Sequence, residues 1–223
     1  MKLSVSSSTL KLIAIGTMLV DHMGFLFFPD EALWRVVGRL AFPLFAFLIA
    51  EGFEKTSNLG KYAKRLTLLA ALSQVPYALF LSAGHSPWTL NIFFTLSAGL
   101  LAIALLSRLP YPISVPLVVG IAYLAETLKF DYGAYGILTI LASHLFIHRK
   151  TAGGIALLFL PILYTAEQAL LGNVSLQFFA LFSVPFVALY RGELGFRLPR
   201  SFFYAFYPVH LFILWLIWYC LSI

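Results

Sequence analysis

Apolar runs long enough to cross a membrane recur from one end of this chain to the other, separated only by short stretches of charge, proline or glycine. A helix needs about 20 apolar residues to cross the ~30 Å hydrocarbon core of a bilayer. The runs fall at residues 9–28, 36–53, 62–83, 90–107, 111–127, 133–148, 154–172, 175–190 and 202–222. The fifth, sixth and eighth are short, as expected of tilted or broken helices. Composition closes the alternatives. Hydrophobic residues make up 61% of the 223 and charged residues 11%, against about 25% charged in a soluble domain. Mean hydropathy is +0.92. Such a chain has too few polar side chains to cover a water-facing surface and too much apolar surface to stay disordered. The expected fold is an all-α integral membrane protein, a polytopic bundle of about nine transmembrane helices forming a single domain over residues 1–223.

The loops sort by charge. Lys2, Lys11, Lys55, Lys61, Lys64, Arg65, Arg108, Arg149, Lys150, Arg191, Arg197 and Arg200 fall at the N-terminus or in even-numbered gaps. The odd-numbered gaps hold Arg35 and Lys129, offset by Asp30, Glu31, Glu126 and Asp131. The positive-inside rule therefore predicts a cytoplasmic N-terminus and an outside C-terminus. The net charge of +6 is then a topology signal, not a nucleic-acid patch. Lys2 and the first apolar run lack a small-residue cleavage site after them, so the run reads as an uncleaved anchor in the cytoplasmic (inner) membrane. The single cysteine, Cys220, excludes an internal disulfide and a cysteine-rich metal site.

Ionisable residues inside spans are costly and point to function. The first hairpin is richest in them, with Asp21 and His22 in helix 1 and Arg39 and Glu51 in helix 2. Its turn centres near Asp30, which puts Asp21 and Arg39 at matching depth in two antiparallel helices and predicts an ion pair. His22 follows Asp21 by about 100° on the helix, and its imidazole suits proton transfer near neutrality. A structural reading also stands, in which the pair locks the hairpin and His22 is a satisfied core residue. Lys11 precedes His22 by eleven residues and shares its helix face, about 16 Å away along the axis. Lys61, Lys64 and Arg65 open helix 3 and suit either phosphate binding or positive-inside anchoring.

Gln74, Tyr77, Asn91, Tyr132 and Tyr135, with Gly133, Glu167 and Gln168, should lie toward the outer side and could form a polar vestibule above His22. His210 sits near mid-depth in the last span, beside Tyr207 and Pro208, where the proline frees a backbone carbonyl. His85, His144 and His148 are assigned no role. No His/Glu/Asp spacing marks a metal site, and no Gly-rich loop marks a nucleotide fold.

Leu10–Ile15 leading into Asp21-His22-Met23-Gly24, then Gly38–Phe53, Lys61–Leu66, Leu90–Leu96, Tyr132–Gly136 and Tyr207–His210, resemble the TraX family of integral membrane proteins. That family is named for a conjugation protein that acetylates the N-terminal amine of pilin. It is similar to a wider superfamily of transmembrane acyltransferases, whose members carry a basic residue, ten intervening residues and a histidine in helix 1. Lys11 and His22 have that spacing. The resemblance implies cytoplasmic acetyl-CoA as donor and an amine or hydroxyl acceptor on or beyond the outer leaflet: a protein N-terminus, a glycan or a small amine. Lys11, Lys61, Lys64 and Arg65 would hold the CoA phosphates. His22 would be the catalytic base or acyl carrier, and Arg39, positioned by Asp21, would stabilise the oxyanion. Gln74, Asn91, Tyr132, Tyr135, Tyr207 and His210 would face the acceptor. A small proton-coupled transporter or channel using Asp21, His22 and Arg39 is the alternative, and a structural envelope subunit a third.

Overall fold

In a computed structural model, residues 4–196 and 199–222 are described. Lys2 and Arg197, both placed on the basic side above, lie outside the described residues. Regular secondary structure among the described residues is helical, with two isolated β-bridges beside the helices.

Each helix begins where local chemistry allows. Helix α1 (Ser7–Phe27) is capped by Ser6, whose hydroxyl accepts from Thr9 N. Helices α2 (Ala32–Gly38) and α3 (Ala41–Lys55) form one apolar stretch with a break at Arg39–Leu40. Pro43 explains the break: it has no N–H for the Arg39 carbonyl four residues back, and its ring crowds that carbonyl. Asn58 caps α4 (Leu59–Ala83) through Lys61 N, and Asn91 caps α5 (Ile92–Arg108) through Phe93 N. Helices α6 (Tyr111–Thr127), α7 (Gly133–His148) and α8 (Lys150–Leu170) follow. A 3-10 segment, Gln177–Ser183, then runs into the short α9 (Val184–Ala188), and α10 (Arg200–Ser222) closes the chain.

Five segments are long and apolar enough to cross a membrane: Ser7–Phe27, Ala32–Lys55, Leu59–Ala83, Lys150–Leu170 and Phe202–Ser222. Four apolar helices are shorter: Ile92–Arg108, Tyr111–Thr127, Gly133–His148 and Gln177–Ala188. Three of these are the runs expected to be short. The expected spans at 111–127 and 133–148 coincide with α6 and α7, whereas the eighth is a 3-10 segment and a single α-turn. This is a multi-pass membrane protein of the all-helical class.

The bundle buries a set of polar side chains within its apolar core and is apolar on the outside as well. Ser73, Asn91, Thr95, Thr139, Ser143, Gln177 and His210 are buried, while Val119 and Tyr123 of α6, Phe159 and Leu163 of α8 and Phe212 and Leu216 of α10 are exposed. In water that surface would be a contiguous apolar liability, and against lipid it is the stable arrangement. α1, α3, α5 and α7 pack together at the centre, α4 lies against α5 and α10, and α8 lies against α7.

Close approach of α7 and α8 depends on Gly153, where an added Cβ would lie 2.2 Å from the Phe146 backbone. Gly153→Ala is therefore expected to destabilise by about 1–3 kcal/mol, read as a lower unfolding temperature in detergent. At Gly120 of α6 an added Cβ would meet nothing within 4 Å. Its alanine variant should be neutral or slightly stabilised, because alanine outranks glycine in a helix by about 0.5–1 kcal/mol.

Candidate functional site

Asp21 is the hub of the first hairpin. Arg39 Nη2 donates to its Oδ1 at 2.6 Å and Arg35 Nη1 to its Oδ2 at 2.7 Å. Arg35 Nη1 also reaches the Asp21 carbonyl at 3.1 Å. Arg39 further donates from Nε to the Arg35 carbonyl, 3.2 Å away, and from Nη1 toward Gln177 Oε1 at 3.5 Å. Gly38 leaves room for the carboxylate, since a Cβ there would lie 2.0 Å from Asp21 Oδ1. Asp21 and Arg39 thus meet as their matching helix depth predicts. Arg35, which its place in the sequence puts among the loop charges, joins them because it sits one turn before Arg39 on the same face of α2.

His22 is oriented from another helix. Its Nδ1 lies 2.7 Å from His210 Nε2, with ring centroids 5.0 Å apart and planes within 8°. His210 Nδ1 in turn lies 2.7 Å from the Phe206 carbonyl. A carbonyl only accepts, so His210 Nδ1 carries the hydrogen. In neutral rings His210 Nε2 is then the acceptor, His22 Nδ1 the donor, and His22 Nε2 is left with its lone pair. A backbone carbonyl therefore sets the tautomer of His22 through one intermediary ring.

His22 opens onto a cavity of about 330 Å³ whose polar wall includes Asp21, Arg35, Arg39, Asp131, Tyr132 and Gln177. The loop carrying Asp131 and Tyr132 is pinned by Leu90 N to the Lys129 carbonyl (2.9 Å) and Asp131 N to the Leu90 carbonyl (2.8 Å). Tyr132 adopts a left-handed φ of 65°, uncommon for an aromatic residue, and stacks on Phe42 with centroids 4.0 Å apart. Packed protein around Asp131 pushes its carboxyl up to about 7, against the pull of Arg39.

A second cavity, about 520 Å³, lies on the other side of Met18, Phe45, Ile92 and Tyr207, which line both. Its wall carries Lys11, Lys55, Lys61 and Arg65. Lys55 is held by Glu51 Oε1 at 2.6 Å and Tyr190 Oη at 3.0 Å, and Lys11 Nζ sits 5.4 Å from the Phe203 ring centre. Lys11, Ile15, Met18 and His22 run down one face of α1, so one helix lines both chambers.

Known proteins are similar to this chain over most of its length. A family model described as TraX protein matches residues 6–218. The chain belongs to the TraX family. It is 33% identical over 233 aligned residues to the probable fimbrial assembly protein FimC, serogroup H1, of Dichelobacter nodosus, covering 94% of each chain. No solved structure matches it.

Not every residue picked out in this TraX-family sequence faces a cavity. Tyr132 and Tyr207 line the His22 chamber, and His210 stands behind His22. Gln74 and Asn91 instead join α4 to α5: Gln74 Nε2 donates to the Thr89 carbonyl (2.9 Å), and Asn91 Nδ2 to the Ala70 carbonyl (2.7 Å) and Gln74 Oε1 (2.8 Å). Gln74 Oε1 also accepts from Asn91 N and Asn91 Oδ1 from Phe93 N, each at 3.0 Å, so the two amides serve N–H groups that the α5 start leaves unpaired. Tyr135 is buried and accepts from Gln177 Nε2 at 3.0 Å, so the amide, not the phenol, reaches the chamber. Gln168 pairs with Asn173. Lys64 does not join Lys61 and Arg65 on the cavity wall, because it lies off the i, i+4 face that those two share. Gln177 has a signal in the sequence, as a lone amide in an apolar run, but sequence reasoning missed it.

Asp21→Asn strands two guanidiniums in the bundle and should cost about 3–5 kcal/mol, measured by thermal unfolding. Between about pH 4 and 7 the folded protein holds a proton on Asp131 that the unfolded chain releases, so this group makes stability fall as pH rises through that window. Asp131→Asn should remove that part of the slope from a series of melts against pH.

Proposed function

We propose that this TraX-family protein is a membrane-embedded acetyltransferase that moves an acetyl group from cytoplasmic acetyl-CoA to an amine or hydroxyl at the outer side of the inner membrane. The observation that carries this reading is the pairing of a cation-lined chamber with a histidine-lined one across a single layer of side chains. On this reading the chain crosses the membrane about nine times with its N-terminus inside, as its loop charges favour.

Lys61 and Arg65 stand one turn apart at the start of α4, where the capped helix N-terminus adds its own attraction for phosphate. Lys11 faces the same chamber from α1. The pantetheine arm then follows α1 past Met18 toward His22. His22 Nε2, the nitrogen with the lone pair, takes the proton from the acceptor amine or hydroxyl as its nucleophilic atom bonds to the thioester carbonyl. Arg39 or Arg35 faces the oxyanion that forms. As the carbonyl re-forms, the C–S bond breaks and CoA leaves as thiol, carrying the proton that His22 held. Asp21 holds both arginines, and His210 holds the His22 tautomer. Family membership supports acetyl transfer, and the relative's description as a fimbrial assembly protein favours an acceptor exposed on the cell surface.

Purified protein given labelled acetyl-CoA should transfer label to an acceptor amine. His22→Ala should lower turnover by about 100-fold or more, and His210→Ala should lower kcat more than it raises KM. Lys61→Ala and Arg65→Ala should raise KM for acetyl-CoA with kcat nearly unchanged. Full turnover in the His22 variant, or solute flux without acetyl-CoA binding, would sink the proposal.

A further inference from the structure

At the end of the bundle that carries Lys55 and Lys61, a cluster stands apart from both chambers. Glu54 is in the last turn of α3, and His144 and His148 are one turn apart near the end of α7. Glu54 Oε1 lies 2.9 Å from His144 Nε2 and 3.0 Å from His148 Nε2. The three potential ligand atoms lie within 4.8 Å of one another. The Phe53 ring meets His144 edge-on at 5.6 Å, which fixes that imidazole. His148 and Glu54 are open to solvent, with side-chain exposures of 51% and 33%.

We propose that Glu54, His144 and His148 form a binding site for a zinc-class divalent transition-metal ion. Tetrahedral zinc with bonds of about 2.0–2.1 Å sets its ligand atoms about 3.3 Å apart, so the two short edges of this triangle need open by only a few tenths of an ångström. Two imidazoles and one carboxylate suit zinc, cobalt or nickel, whereas magnesium and calcium demand oxygen donors. Solvent on the open side supplies the remaining position. The proton that each Nε2 holds in its hydrogen bond moves to Nδ1 of the same ring, so neutral histidines bind the ion without net proton release. The third donor lies 90 residues from the nearer histidine, which is why no metal spacing shows in the sequence. Occupancy would tie α3 to α7 and fix the turn of α3 that brings Glu51, Gly52 and Lys55 to the larger chamber.

The test uses the full-length protein in detergent, carried on a tag without histidine and stripped with chelator. Titration with Co²⁺ should give saturable one-to-one uptake with the visible absorption of a low-coordinate ion, displaced by Zn²⁺, and Zn²⁺ should raise the unfolding temperature. His148→Ala, at an exposed position that leaves the fold intact, should bind at least tenfold more weakly, lose the absorption and lose the thermal shift. Glu54→Gln should weaken binding in the same direction. Absence of saturable uptake by the wild type up to millimolar Co²⁺, or wild-type affinity in both variants, would overturn the site and leave a hydrogen-bonded brace between the helices. None of these readouts depends on acetyl transfer.

Discussion

A single carboxylate organises the first hairpin. Asp21 accepts from two guanidiniums that leave the second apolar stretch one turn apart, and Pro43 breaks that stretch immediately after Arg39. An unbroken helix would carry the Arg39 carbonyl away in its own hydrogen-bond ladder. Here the backbone turns, and Arg39 reaches Asp21, the Arg35 carbonyl and Gln177 together. Two cations against the Asp21 carboxylate leave this ion cluster with a net positive charge, and Asp131 is a second carboxyl on the same chamber wall.

The histidine pair complements it without sharing its charge. Asp21 and His22 are neighbours in sequence yet serve different partners, because adjacent residues on a helix point about 100° apart. Asp21 turns to α2 and His22 to α10, where the Phe206 carbonyl fixes the whole chain of hydrogen bonds. The proton position on His22 is thus decided by a main-chain group, which no side-chain substitution at Phe206 removes.

Much of this is legible in the sequence, for a physical reason. A bilayer forces helices to declare themselves by length and apolarity, so the α6 and α7 boundaries at 111–127 and 133–148 can be read directly. The Asp21–Arg39 meeting follows from counting residues about a turn. Contacts between distant helices are another matter. His210 behind His22, Gln177 beneath Arg39 and Glu54 between His144 and His148 join residues separated by 188, 138 and 90 or more positions. Spacing along a single helix carries no information about them. The Gln74–Asn91 pair misleads the other way: polar residues inside a membrane suggest a ligand, when the start of α5 needs them to accept from its own N–H groups.

Met18, Phe45, Ile92 and Tyr207 form the shared wall of the two chambers. With the chain in a bilayer and solvent in the chambers on either side, this one layer becomes the insulator of the system. Most of the membrane voltage would drop across it instead of across the full ~30 Å of hydrocarbon. A charge moved past Tyr207 would then sense nearly the whole potential, about 2.3 kcal/mol per 100 mV. In that setting the size and fit of four uncharged side chains would set how tightly the layer seals against proton leakage.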